Sequence, residues 1–168
     1  RDRARGSATR LFINDHWQVA LDVYTQAPDS GIYGIHLGQE DIDEADLVAI
    51  RSAGLRLGIS THGFAEMLRV APLNSSYLAL GAVFATPTKT MPTVPQGLGR
   101  LFAYAAAMRT RVPAPPLVAI GGIDLAAMPR VLESGVGSVA VVRAITQAAD
   151  VPAAVDALQA TFAAHVRA

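Results

Sequence analysis

The sequence predicts an α/β fold in which short parallel strands alternate with helices. Apolar strands recur at spacings of roughly 20 to 25 residues, the spacing expected of βα units. Segments rich in alanine and leucine lie between them, and their apolar residues have helical spacing. The strands are nearly continuous apolar runs, which indicate a parallel sheet buried on both faces. We therefore expect a series of βα units on one parallel sheet.

Six strands and six helices are predicted in chain order. The predicted strands are Arg10–Ile13, Gly34–Leu37, Leu55–Ile59, Tyr77–Leu80, Leu117–Ile120 and Ser138–Val142. The predicted helices are Trp17–Val23, Glu44–Ala53, Ala65–Val70, Leu98–Arg109, Leu125–Ser134 and Val151–Val166. Asp124 and Asp150 stand at N-cap positions, and Gly54 and Gly135 follow last helical turns. A closed (β/α)₈ barrel needs eight units. The chain therefore forms an open sheet or lacks the first two units of a barrel, and its abrupt start favours the second.

Composition excludes several classes of function. A chain of 168 residues fits one domain, residues 1–168. Its formal net charge is zero, so no basic field attracts nucleic acid or an anionic membrane. The absence of cysteine excludes disulfides, thiolate metal sites and thiol nucleophiles. No apolar run approaches the roughly 20 residues of a membrane span, and we expect a cytoplasmic protein.

Polar or small residues follow each predicted strand. They are Asn14 and Asp15, Gly38 to Asp41, Ser60 to His62, Thr86, Thr88 and Lys89, Gly121 and Gly122, and Arg143. In (β/α)₈ barrels the active-site groups gather at the carboxyl ends of the strands, and the last units often bind phosphate. Hydroxyls, an ammonium group and the bare backbone N–H groups of paired glycines are ligands for anions. The pattern therefore predicts an enzyme that handles phosphorylated substrates.

Five of these motifs resemble the thiamine-phosphate synthase (thiamine-phosphate pyrophosphorylase) family, in that family's order and spacing. The motifs are Leu11–Asp15 (LFIND), His36–Asp41 (HLGQED), Leu57–His62 (LGISTH), Thr86–Lys89 (TPTK) with Pro95–Gly97 (PQG), and Val118–Ile123 (VAIGGI). Each motif alone is weak, whereas five in register are specific. The resemblance covers nearly the whole chain, from about Arg10 to Ala149.

The resemblance implies a (β/α)₈ TIM barrel, of which about six βα units are present here and the N-terminal part is missing. It implies a transferase of thiamine biosynthesis. Such an enzyme condenses 4-amino-2-methyl-5-hydroxymethylpyrimidine diphosphate with 4-methyl-5-(2-phosphooxyethyl)thiazole, giving thiamine phosphate and pyrophosphate. Its partners are these small phosphorylated substrates and Mg²⁺, with no nucleic acid and no membrane, and a homo-oligomer is compatible with it.

The resemblance also implies a role for each matching residue. Asp15 and Asp41 match the metal-ligand positions, and Mg²⁺ prefers one or two carboxylates with substrate phosphates and water. Ser60 and Lys89 match the residues that act on the departing diphosphate, and are the expected catalytic residues. The expected substrate-binding residues are Asn14, Ser60, Thr86, Thr88, Lys89, Gly122, Val142 and Arg143. No nucleophile or strong base is needed, since positioning and charge stabilisation carry the rate.

Each motif also has a purely structural interpretation. Asn14 and Asp15 could cap the following helix, Asp41 could cap the next, and Ser60 or Thr61 a third. Lysines in loops are usually solvated, and paired glycines can simply form a tight turn.

Two histidines complete the candidates. His36 is expected to be a hydrogen-bonded structural residue rather than a ligand, and His62 could face the pocket.

Two other functions stay open at this stage. One is a thiazole-phosphate tautomerase of the same fold, against which Ser60, Lys89 and both aspartates argue, because a tautomerase needs no diphosphate metal site. The other is a non-catalytic module that binds thiamine phosphate. Arg143 keeps it open, since members of the family usually carry serine there, and so does the lack of the diphosphate-gripping residues of their second strand.

Overall fold

The computed structural model describes residues 8–88 and 93–166. In that part of the chain six parallel strands form one sheet in sequential order, curled into a half-barrel. The strands are β1 (Leu11–Asn14), β2 (Ile32–Leu37), β3 (Arg56–Thr61), β4 (Tyr77–Leu80), β5 (Leu117–Ile120) and β6 (Ser138–Ala140). The helices are α1 (Trp17–Gln26), α2 (Gln39–Glu44), α3 (Leu47–Ser52), α4 (Phe64–Val70), α5 (Gly97–Arg109), α6 (Met128–Leu132), α7 (Arg143–Thr146) and α8 (Val151–Val166). The predicted α/β class and all six predicted strands are confirmed.

The helix-facing side of the sheet holds the core. Ile35, Leu37, Ile59, Leu78 and Leu80 expose none of their surface. Burying an aliphatic side chain of this size contributes about 1.5–3 kcal/mol, so this layer supplies much of the driving force for folding.

The other face of the sheet is only half covered. Along β5, buried and half-buried residues alternate, with Leu117 and Ala119 buried and Val118 and Ile120 half-buried. The sequence predicted burial of both faces. Among the described residues the helices pack against one face, so the alternate side chains border a cavity instead.

One predicted helix is divided in two. The segment predicted as Glu44–Ala53 forms the end of α2 and the whole of α3. Ala45 between them has extended backbone, and the Asp46 carboxylate accepts the Ala49 N–H at 2.8 Å. Asp46 therefore acts as an N-cap that starts a new helix, a local bond that competes with continuation of the first.

The predicted caps are otherwise in place. Asp150 accepts the Ala153 N–H at 3.0 Å at the start of α8. Gly54 and Gly135 have φ of 82° and 80°, as residues that end helices do. Asp124 accepts the Ala127 N–H at 2.8 Å, although α6 begins only at Met128. Within residues 8–88 and 93–166, no helix has the length and apolar composition to cross a membrane.

Candidate active site

A cavity of about 640 Å³ lies on the open face of the sheet and at the carboxyl ends of its strands. Each of the six strands contributes to its wall. The predicted site residues that line it are Asn14, Asp15, Ser60, Thr86, Thr88, Gly122, Val142 and Arg143. Asp41 does not line it, and Lys89 lies outside the described residues. The structure thus gathers residues from distant parts of the chain around one space.

Asn14 and Asp15 present polar groups to the cavity rather than capping a helix. The Asn14 amide donates to Asp15 Oδ2 at 2.6 Å. The N-cap of α1 is His16, and no side chain bonds to the first turn. Asp15 has a φ of 62°, a conformation that costs energy in residues other than glycine and that clusters at functional sites. Its N–H donates to the His36 carbonyl at 2.9 Å, which ties this backbone to β2.

Asp41 does serve as a helix-capping residue. Its Oδ2 accepts the Gly38 N–H at 3.0 Å at the start of α2. The structural interpretation therefore holds for this residue, although it caps α2 rather than the longer helix predicted. The second carboxylate oxygen has no hydrogen bond within the described residues.

The carboxylates suit a hard divalent cation. Residues 8–88 and 93–166 contain no group of three or more histidine, aspartate or glutamate side chains that could hold a metal. Mg²⁺ does not need one, because it is usually bound by one or two carboxylates that act together with water and substrate phosphates. Asp15 on the cavity wall and Asp41, which does not line the cavity, both offer carboxylate oxygens of that kind.

Ser60 ends a chain of three polar side chains on the cavity wall. Its Oγ lies 2.7 Å from His36 Nε2, and His36 Nδ1 lies 2.8 Å from the Tyr77 hydroxyl. The two rings stack at 21° with centroids 5.5 Å apart. Burial raises the pKa of Tyr77 above its ordinary value. His36 is thus confirmed as a hydrogen-bonded histidine, and Ser60 does not cap α4, whose N-cap is Gly63.

Thr61 and His62, which follow Ser60, make hydrogen bonds of their own to other elements of the fold. The Thr61 hydroxyl donates to the Ala79 carbonyl at 2.9 Å and joins β3 to β4. His62 lines the cavity, as the sequence allowed. Its Nδ1 lies 3.1 Å from Glu66 Oε2, and the same oxygen accepts the His62 N–H at 2.7 Å. Neither Thr61 nor His62 caps α4.

Threonine hydroxyls and paired glycines form another part of the wall. Thr86 Oγ1 lies 3.0 Å from Thr88 Oγ1 and accepts the Thr88 N–H at 3.3 Å. Gly121 and Gly122 have φ of 99° and 66°, which keeps the turn after β5 narrow and leaves its backbone bare. The elements are those expected of an anion site, two hydroxyls beside glycine backbone that lines the cavity.

Arg143 brings a positive charge to the same cavity. It is the first residue of α7, is half-buried, and has no ion-pair partner within the described residues. Val142 precedes it and is 47% exposed. A guanidinium group that faces a cavity without a carboxylate partner is suited to an anionic ligand.

Sequence reasoning missed Tyr77 as a site residue. Its ring lies where a Cβ at Gly58, on the neighbouring strand, would stand. A glycine inside an otherwise apolar strand often marks a place where another group approaches closely. Gly58 was therefore the signal that could have pointed to this side chain.

Comparisons with known proteins agree with the geometry. The family model described as thiamine monophosphate synthase matches residues 1–145. The thiamine-phosphate synthase of Neisseria meningitidis serogroup B is 53% identical over 158 residues, covering 94% of this chain and 72% of the relative. That of Pectobacterium atrosepticum is 55% identical over 141 residues, covering 84% of this chain and 62% of the relative.

Solved structures show the same relationship. The thiamine phosphate pyrophosphorylase from Pyrococcus furiosus superimposes with a TM-score of 0.72 and 28% identity over 94% of this chain and 69% of that one. A 3-hexulose-6-phosphate synthase, at 18% identity and a TM-score of 0.59, shares the fold. The sequence matches, the fold and the cavity thus agree, and the chain belongs to the thiamine monophosphate synthase family, transferases of thiamine biosynthesis.

Proposed function

We propose that this cavity joins 4-amino-2-methyl-5-hydroxymethylpyrimidine diphosphate to 4-methyl-5-(2-phosphooxyethyl)thiazole, giving thiamine phosphate and pyrophosphate. The observation that supports the assignment is that the polar residues of the cavity wall fall into two groups. Strands β1 to β3 contribute Asn14, Asp15 and Ser60, whereas the segments after β4 to β6 contribute Thr86, Thr88, Gly122 and Arg143. Two substrates that each carry phosphate need two such groups.

The first group acts where the diphosphate leaves. The bond between the exocyclic carbon of the pyrimidine and the diphosphate oxygen breaks, and its electron pair goes to the oxygen. The Ser60 hydroxyl and the Asn14 amide donate to the oxygens that gain charge, and Lys89 is expected to add its ammonium group. Asp15 and Asp41 would hold Mg²⁺, which supplies further stabilisation of negative charge on the diphosphate.

The second group positions the acceptor. The Thr86 and Thr88 hydroxyls, the Gly122 N–H and the Arg143 guanidinium bind the phosphate of the thiazole, and Val142 contributes apolar contact. With the phosphate held, the thiazole nitrogen is aimed at the exocyclic carbon, to which it forms the new bond. Orientation of this kind can supply a large part of a rate enhancement without any nucleophilic side chain.

The architecture of the whole enzyme follows from the same assignment. We place residues 1–168 in one domain, as six units of a (β/α)₈ TIM barrel. The sequential order of six parallel strands and the likeness to the Pyrococcus pyrophosphorylase support it. Mg²⁺ as the metal, a cytoplasmic location and a homo-oligomer stay predictions of the sequence.

A direct assay tests this function. The protein is incubated with both substrates and Mg²⁺, and thiamine phosphate is detected by fluorescence after oxidation. We expect product that disappears with EDTA and falls in Ser60→Ala, but not in Ser52→Ala, an exposed serine at the end of α3. Folded protein that makes no product would contradict the assignment and favour the tautomerase or the binding module.

A further inference from the structure

His36 is hydrogen-bonded at both ring nitrogens, to a side chain on each side. Nδ1 lies 2.8 Å from the Tyr77 hydroxyl and Nε2 lies 2.7 Å from Ser60 Oγ. A neutral imidazole carries one proton, so one nitrogen donates and the other accepts. The position of that proton decides which way every hydroxyl in the chain points.

Two arrangements satisfy these distances. In the first, Tyr77 donates to Nδ1, Nε2–H donates to Ser60 Oγ, and the proton of Ser60 is free for a group in the cavity. In the second, Nδ1–H donates to Tyr77 and Ser60 donates to Nε2. Ser60 then offers the cavity only lone pairs, which repel the oxygens of an anion.

Tyr77 favours the first arrangement. Its pKa is raised by burial, so the hydroxyl keeps its proton. In the second arrangement that proton would need another acceptor, and among the described residues the hydroxyl bonds to His36 alone. A desolvated donor without a partner is costly. In the first arrangement the unpaired proton belongs instead to Ser60 on the cavity wall, where an anionic ligand can accept it.

We propose that Tyr77 and His36 are positioning residues, which direct the Ser60 hydroxyl proton into the cavity as a donor to an anionic oxygen. This role rests on the proposed function of Ser60 at the departing diphosphate. Hydrogen bonds in a chain polarise one another, so the bond from Nε2–H also makes Ser60 a stronger donor. Tyr77 thus influences the leaving group without touching it.

The direction of the hydrogen bonds from Tyr77 through His36 to Ser60 is measurable without substrate. The ¹⁵N chemical shifts of histidine-labelled protein distinguish the two imidazole tautomers, and the His36→Gln variant identifies the signals of His36 among the four histidines of the chain. We expect the proton on Nε2. A proton on Nδ1 alone would overturn the proposed direction, whatever the activity of the enzyme.

Kinetics test whether Tyr77 and His36 act through Ser60. Tyr77→Phe removes the hydroxyl but keeps the ring that stacks on His36 and meets Phe12 edge-on at 5.4 Å. We expect kcat to fall on the order of tenfold, as for loss of the hydrogen bond from Ser60 to a charged oxygen, with an unchanged KM for the thiazole phosphate. The matched control is Tyr33→Phe, since that ring also packs on Phe12 and its hydroxyl does not bond to His36. We expect wild-type rates from it.

A double-mutant cycle completes the test. In a Ser60→Ala background, Tyr77→Phe should lower kcat by less than about twofold, because the residue through which it acts is already gone. A full and independent loss in that background would overturn the proposed role. Wild-type turnover in Ser60→Ala alone would instead refute the proposed function of Ser60, and the tautomer would still report the direction of the chain.

Discussion

Gly122 lies directly against the backbone of Ala85, so closely that a Cβ at Gly122 would stand 2.7 Å from the Ala85 carbonyl oxygen. The turn after β5 is also bonded to this segment, since the Phe84 N–H donates to the Gly121 carbonyl at 3.0 Å. The loop that begins at Ala85 carries Thr86 and Thr88. Close backbone packing therefore holds the glycine pair and the threonine hydroxyls together on one part of the cavity wall, the proposed phosphate site.

Substitution of Gly122 should damage both folding and phosphate binding. Gly122→Ala places a side chain at a φ of 66° and against the Ala85 carbonyl. We expect a loss of about 1–3 kcal/mol in the free energy of unfolding, measured by urea denaturation, and a higher KM for the thiazole phosphate. In the control, Gly99→Ala in α5, the new Cβ meets no atom within 4 Å, and we expect a gain of about 0.5–1 kcal/mol. Equal stability of the two variants would contradict the importance of the contact.

The two aspartates should affect metal dependence far more than stability. Asp15→Asn and Asp41→Asn remove a charge but keep an acceptor, so in the second variant the amide oxygen can still receive the Gly38 N–H. The Mg²⁺ concentration for half-maximal turnover should rise at least about tenfold. Even residues that only hydrogen-bond to a metal ligand typically change metal affinity by about 10- to 100-fold. Asp22→Asn, on the exposed surface of α1, is the control. An unchanged Mg²⁺ requirement in either site variant would refute that residue as a ligand.

Arg143 should contribute to phosphate binding rather than obstruct it. Arg143→Ser removes a charge that has no carboxylate partner among the described residues. We expect KM for the thiazole phosphate to rise on the order of tenfold, as for loss of a charge-assisted hydrogen bond. Arg143→Lys keeps the charge without the planar guanidinium, so its KM should lie between those of wild type and Arg143→Ser. Faster turnover in Arg143→Ser would show that the arginine crowds the site.

Tyr77 should make stability depend on alkaline pH. Burial raises its pKa above 10.0, so the folded state retains a proton that the unfolded chain releases. The contribution of this proton to stability is fully present below pH 10.0 and is lost as the pH rises towards the folded-state pKa. We would measure the free energy of unfolding by urea denaturation at several pH values through this range. It should fall with pH more steeply for wild type than for Tyr77→Phe, by up to about 1.4 kcal/mol per pH unit. Identical slopes for wild type and Tyr77→Phe would contradict the burial effect.

Local sequence patterns predicted the strands well and the helices less well. Apolar runs such as Leu117–Ile120 coincide with the observed strand, because burial of such a run is a local requirement. The division between α2 and α3 was not predicted, since whether the Asp46 carboxylate bonds to the Ala49 N–H depends on backbone that the pattern leaves open. The same limit applies to α7, four residues that pack against α8.

The sequence predicted which residues gather at the site but not which atoms their side chains contact. Residues at the ends of parallel strands meet at one edge of a sheet, so Asn14, Ser60 and Arg143 could be placed together from their positions alone. Asp41 shows where that reasoning stops, because its carboxylate turns to the Gly38 N–H and stays off the cavity wall.

The sequence by itself determined the α/β class, the order of the strands' polar ends and the family, because these depend on patterns that run along the chain. Only the tertiary structure decided which partners the side chains have. The bond of His36 to Tyr77 joins residues 41 positions apart, and the bond to Ser60 spans 24. Gly58 makes room for the Tyr77 ring that completes this chain. Such contacts follow from the register of neighbouring strands, a property of the folded sheet that no local stretch of sequence contains.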